Sequence, residues 1–100
     1  MIGLMALVMV IEFSVLPEQR EAFVAVSAAQ VETIRAREGN LGFDILVDPK
    51  QPDRVVYIER WETAEQQEAF YQWWIAQGLT ERLAPYVSAA PKISTWQTID

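Results

Sequence analysis

The 100-residue chain contains neither cysteine nor histidine. Without cysteine there is no disulfide scaffold, no thiolate nucleophile and no iron–sulfur or zinc–thiolate site. Without histidine the imidazole general base, the Ser-His-Asp triad and histidine-ligated haem are excluded as well. Basic residues are also sparse. Eight Lys and Arg stand against 14 Asp and Glu, for a net charge of −6. Because Arg20, Arg35, Arg37, Lys50, Arg54, Arg60, Arg82 and Lys92 are scattered, no concentrated patch is expected to bind nucleic acid through its phosphates. A long apolar run is missing too. The stretch from Met1 to Ile11 meets Glu12 well short of the roughly 20 residues of a membrane span. It also lacks a basic leader region and a small-residue cleavage site, so it reads as a buried strand of a cytoplasmic protein with no membrane partner.

The residues present favour a packed interior. With 51% hydrophobic and 22% charged residues, residues 1–100 fit one compact domain able to bury about two-thirds of its unfolded surface. No repeat, linker or low-complexity segment interrupts them.

Period-two alternation predicts a first strand over Met5–Val15, with Met5, Leu7, Met9, Ile11 and Phe13 on one face. Pro17 suits the first turn of a helix, and Glu18 and Glu21 suit the positive end of its dipole. Phe23, Val24, Ala28, Val31 and Ile34 recur at helical spacing until Gly39-Asn40, which predicts about five turns. Leu41, Phe43, Ile45 and Val47 then alternate with polar residues. The turn-forming Asp48-Pro49-Lys50-Gln51-Pro52-Asp53 leads into a second β-rich run, Val55 to Trp61, predicting a hairpin. Thr63 and Gln66 make a capping-box signature for a second helix that carries Phe70, Trp73, Trp74 and Gln77 on one side. Gly78 breaks it, Leu79–Val87 continues helically to near Pro85, and Lys92–Ile99 forms the last strand. The order β-α-β-β-α-β is the ferredoxin-like α+β arrangement: a four-stranded antiparallel sheet with both helices on one face. The other face is apolar enough to need a cover, and a second copy of the chain is the simplest supplier.

The candidate chemistry lies in Tyr57-Ile58-Glu59-Arg60-Trp61 and Phe70-Tyr71-Gln72-Trp73-Trp74. Alternation places Tyr57, Glu59 and Trp61 together on the helix side of their strand. An acid flanked by two large aromatics is not ordinary core composition. Phe70, Trp73 and Trp74 form a stripe that fits plain core as well as a ligand wall, and Tyr71 falls at its edge, about 60° from Trp74. Glu59 fits a salt-bridging strand residue as well as a general base. Together these groups would make an aromatic chamber with few polar atoms, suited to a flat hydroxylated aromatic ligand.

From about Ala6 to Thr98 the chain resembles the antibiotic biosynthesis monooxygenase family of dimeric α+β-barrel proteins. The carriers are the Pro17 helix entry with Glu21-Ala22-Phe23, then Glu38-Gly39-Asn40-Leu41-Gly42-Phe43, which is similar to the family's turn into its second strand. Glu59-Arg60-Trp61-Glu62 matches the family's Glu-x-Trp signature. The resemblance implies a homodimer formed through the sheet face, with a pocket between sheet and helices in each protomer. It also implies oxygenation of quinols or anthrones by molecular oxygen without cofactor, metal, flavin or haem. Trp61 would then orient the substrate or an oxygenated intermediate through its N–H, and Tyr71 would be the polar residue of the second helix. Where many members carry a histidine on that helix, this chain has Phe70 or Tyr71, so the haem-degrading branch is disfavoured.

The sequence therefore leads to a cofactor-independent monooxygenase-like enzyme acting on a polyhydroxylated aromatic. Trp61, Tyr71 and Glu59 are its catalytic candidates, and Tyr57, Phe43, Phe70, Trp73 and Trp74 its substrate-binding candidates. The alternatives are a non-catalytic dimeric ligand-binding module and a cyclase or isomerase on polyketide-like substrates.

Overall fold

The computed structural model describes residues 5–99; the Met1–Leu4 part of the apolar run Met1–Ile11 lies outside them. Strand β1 spans Leu7–Ser14 and is followed by a 3₁₀ turn, Pro17–Gln19, and helices α1, Arg20–Ala28, and α2, Val31–Arg35. Strands β2, Asn40–Val47, and β3, Arg54–Trp61, form the hairpin. Helices α3, Ala64–Ala76, and α4, Leu79–Leu83, lead through a 3₁₀ turn, Ala84–Tyr86, to β4, Lys92–Gln97. The sheet is antiparallel in the order β2-β3-β1-β4, the ferredoxin-like arrangement expected from the element order.

The first strand is shorter at both ends than the expected Met5–Val15, and two further differences have a local cause. The first helix is not one five-turn rod: at Gln30 the hydrogen-bond ladder tightens, with its N–H donating to Ser27 O at 3.0 Å, and α2 restarts at Val31. The last strand ends at Gln97 rather than Ile99, with Thr98 N–H bonded to Ala6 O at 3.0 Å and Thr98 Oγ1 accepting from Ala6 N–H at 2.8 Å.

Local chemistry accounts for the joints. Asp48 Oδ1 accepts from Lys50 N–H and Gln51 N–H at 2.9 and 3.2 Å, closing the hairpin turn. Thr63 Oγ1 accepts from Gln66 N–H at 3.2 Å and caps α3. Gly39 takes φ +84°, where a Cβ would also overlap the Gln66 carboxamide, so glycine serves both the backbone and the packing. Gly78 at φ +69° turns α3 into α4.

Alternation on β3 divides the sheet. Val55, Tyr57, Glu59 and Trp61 are buried on the helix side, with Phe13, Phe23, Phe43, Ile34 and Phe70 completing the core. Removing each of the apolar side chains among them from water contributes about 1.5–3 kcal/mol. Helices α1 and α2 pack on β2 and α3 packs on β3, while the β1–β4 half of the same face floors a cavity. That cavity is roofed partly by the segment after α4. The segment is tied back to the end of β1 by Leu16 N–H to Tyr86 O and Ser88 N–H to Ser14 O, both 2.8 Å.

Candidate active site

The cavity has a volume of about 870 Å³. Met9, Ile11 and Phe13 of β1 and Ile93 of β4 form an apolar floor, because register pairs Ile11 with Ile93 on the helix side. Tyr57 and Glu59 of β3 stand at its inner edge, and Phe70, Tyr71 and Trp74 of α3 form the facing wall. Leu83, Ala84 and the segment from Val87 to Pro91 close the remaining side.

Glu59 is the chemical centre of this space. It is 4% exposed, and its Oε1 accepts the indole N–H of Trp61 at 3.1 Å. Burial raises its pKa from the ordinary 4.5 to about 7, against the opposing effect of the Trp61 bond. A carboxyl so placed exchanges a proton near neutral pH, the range in which a general base is most effective.

Tyr57 behaves differently although it is a neighbour on the same strand face. Its hydroxyl shares a hydrogen bond with the buried Ser27 hydroxyl of α1, and burial pushes its pKa up to about 12. It therefore stays protonated and contributes its ring to the cavity. Phe13 and Phe43 meet that ring edge-on at 4.6 and 5.2 Å. Tyr71 is 43% exposed at the opening, and Trp74 is anchored by its indole N–H to Thr80 Oγ1 at 3.1 Å.

Of the eight candidates, Tyr57, Glu59, Phe70, Tyr71 and Trp74 line the cavity. Phe43, Trp61 and Trp73 do not. Phe43 supports Tyr57 from behind. Trp61 is fully buried, packed at 4.9 Å on Phe70, and its N–H donates to Glu59 instead of opening into the cavity. Trp73 lies under the Arg37 guanidinium, 4.9 Å from its ring. Sequence reasoning missed Gln67 and Glu68, although they stand four and three residues before Tyr71 and so share its helix face. It also missed Ser27, whose signal was a hydroxyl in register with Phe23 on the buried stripe of α1. Among the described residues no group of three or more carboxylate side chains gathers to hold a metal ion.

The family model for antibiotic biosynthesis monooxygenase matches residues 6–74. The chain belongs to the antibiotic biosynthesis monooxygenase family. A candidate antibiotic biosynthesis monooxygenase from Nitrosomonas europaea is similar at 22% identity and TM-score 0.86, over 94% of this chain and 99% of that one. A conserved protein from Methanosarcina mazei Go1 superposes with TM-score 0.84 at 15% identity, over 93% of this chain and 92% of its own. A protein of unknown function from Nitrosomonas europaea gives TM-score 0.84 at 18% identity, over 97% and 92% of the two chains. At these identities the likeness establishes a common fold. No curated protein matches the sequence.

Proposed function

We propose that this family member is a cofactor-independent oxygenase of hydroxylated aromatics such as quinols or anthrones, with Glu59 as its base. The observation that carries the reading is a buried carboxyl, titrating near neutrality, on the wall of an otherwise apolar and aromatic cavity. A flat ring between the β1 floor and the α3 wall would direct a hydroxyl or acidic C–H at Glu59. The carboxylate takes that proton, and the electron-rich anion left behind reduces molecular oxygen. For an anthrone, the methylene carbon gives up four electrons and its two hydrogens. One oxygen atom becomes the new carbonyl and the other leaves as water, to which Glu59 returns its proton. Trp61 acts through Glu59 as a positioning residue, holding one carboxylate oxygen so that the other is free for substrate.

The same reading includes a cytoplasmic homodimer packed through the outer sheet face. No helix among the described residues is long and apolar enough to cross a membrane. On that outer face Val8, Val10, Val56 and Ile58 lie together by register, and Trp96 beside Val8 is 61% exposed. A contiguous apolar centre of this kind marks an association surface.

Oxygen consumption by the purified protein, measured against anthrones, quinols and catechols, tests the activity. Uptake that depends on protein and collapses in Glu59→Gln supports the proposal. Tight binding with no uptake would move the assignment to a binding module or to proton-transfer chemistry without oxygen.

A further inference from the structure

All eight basic residues of the chain lie within the described segment, and none of them lines the cavity. Three of them are engaged elsewhere. Arg35 donates to Phe43 O at 2.8 Å and reaches Asp44, Arg37 covers Trp73, and Arg54 pairs with Glu12 and Asp48. Arg60 and Lys92 sit on the outer face, opposite Val8 and Glu12 in the register.

The charged side chains that do line the cavity are both acidic: Glu59 in its depth and Glu68 at its exposed opening. Glu68 Oε1 accepts from Gln72 Nε2 at 2.9 Å, which holds the carboxylate without neutralising it. We infer that the cavity is selective by charge, admitting uncharged hydroxylated aromatics and rejecting their carboxylated, sulfated or phosphorylated analogues, with Glu68 as the filter at the opening. An anionic ligand would lose its hydration in an apolar space offering no cationic partner. Its charge would also repel the ionised form of Glu59 and hold that carboxyl protonated, disabling it as a base. The inference rests on the aromatic-oxygenation reading of the same cavity and narrows its substrate class.

The test is calorimetric titration at low ionic strength with a matched pair, a dihydroxyanthraquinone and its ring-carboxylated analogue, on the full chain and on Glu68→Lys and Glu68→Gln. The uncharged compound is expected to bind about tenfold more tightly, the scale of one like-charge contact in a partly desolvated site. Glu68→Lys should reduce that preference severalfold and Glu68→Gln by a smaller amount; position 68 is an exposed helix site, so the Gln variant keeps the test open if the Lys variant does not fold. Equal affinities, or tighter binding of the carboxylate, would overturn charge selection while leaving an aromatic-binding cavity intact. A preference unchanged in both variants would remove Glu68 as the filter. If neither compound binds, the aromatic-ligand reading and the inference fall together.

Discussion

Trp61 and Glu59, two residues apart on the same face of β3, are joined by an indole N–H to carboxylate hydrogen bond of 3.1 Å that is wholly inside the protein. The bond favours the ionised carboxyl while burial disfavours it. The balance places the titration of Glu59 where a small change in either influence alters its charge at neutral pH.

Glu59→Gln keeps the shape of the side chain and removes its proton chemistry. Turnover should fall by about a hundredfold or more, while affinity for an uncharged ring changes little. Steady-state oxygen uptake beside a binding titration separates the two, and a variant retaining full turnover would show that the base lies elsewhere.

Because the ionised form is the base, kcat/KM should rise with pH through an inflection near 7. Trp61→Phe deletes the one contact identified as lowering this pKa, so the inflection should move to higher pH. An inflection that stayed in place would show that Trp61 has no hold on the Glu59 charge.

The same shift has a stability consequence with a definite sign. The folded pKa lies above the unfolded value, so the stabilisation from neutral Glu59 is fully present below about pH 4.5 and is lost as pH rises through about 7. The loss is on the order of 3 kcal/mol. Thermal unfolding across that range should show Glu59→Gln gaining on the wild type as pH rises, and parallel curves would refute the burial argument.

Much of this was legible in the residues themselves. Strict alternation from Val55 to Trp61 was enough to put Tyr57, Glu59 and Trp61 on one buried face, and Thr63 announced α3. What alternation cannot convey is which side of a buried ring meets empty space. Trp61 and Trp73 have the composition of a ligand wall, yet one turns its N–H onto Glu59 and the other lies under Arg37. The cavity floor was hidden for a related reason: Met9, Ile11 and Ile93 read as ordinary core, and only the placement of the helices over β2 and β3 leaves them uncovered.

Ser27 and Tyr57 supply a further prediction, since their hydroxyls satisfy one another in the core. Ser27→Ala should cost about 1–3 kcal/mol by orphaning a buried phenol, lowering Tm by several degrees. Tyr57→Phe in the Ser27→Ala background should then cost less than it does alone. Strict additivity in that double-mutant cycle would show the two hydroxyls to be independent.

On the outer face, Trp96→Glu should convert the proposed dimer to a monomer in sedimentation velocity at micromolar concentration. A wild-type chain that is already monomeric there would leave the apolar face without its expected partner.

The unfilled space beside Glu59 also bears on how such a chain changes under selection. Ala84, Ala89 and Ala90 stand exposed along its rim, and a larger apolar side chain at each could lean over the opening and recover dispersion contacts that the cavity forgoes. A library screened for heat resistance alone should therefore accumulate bulky residues at these three sites and yield sturdier proteins that no longer take up a ligand.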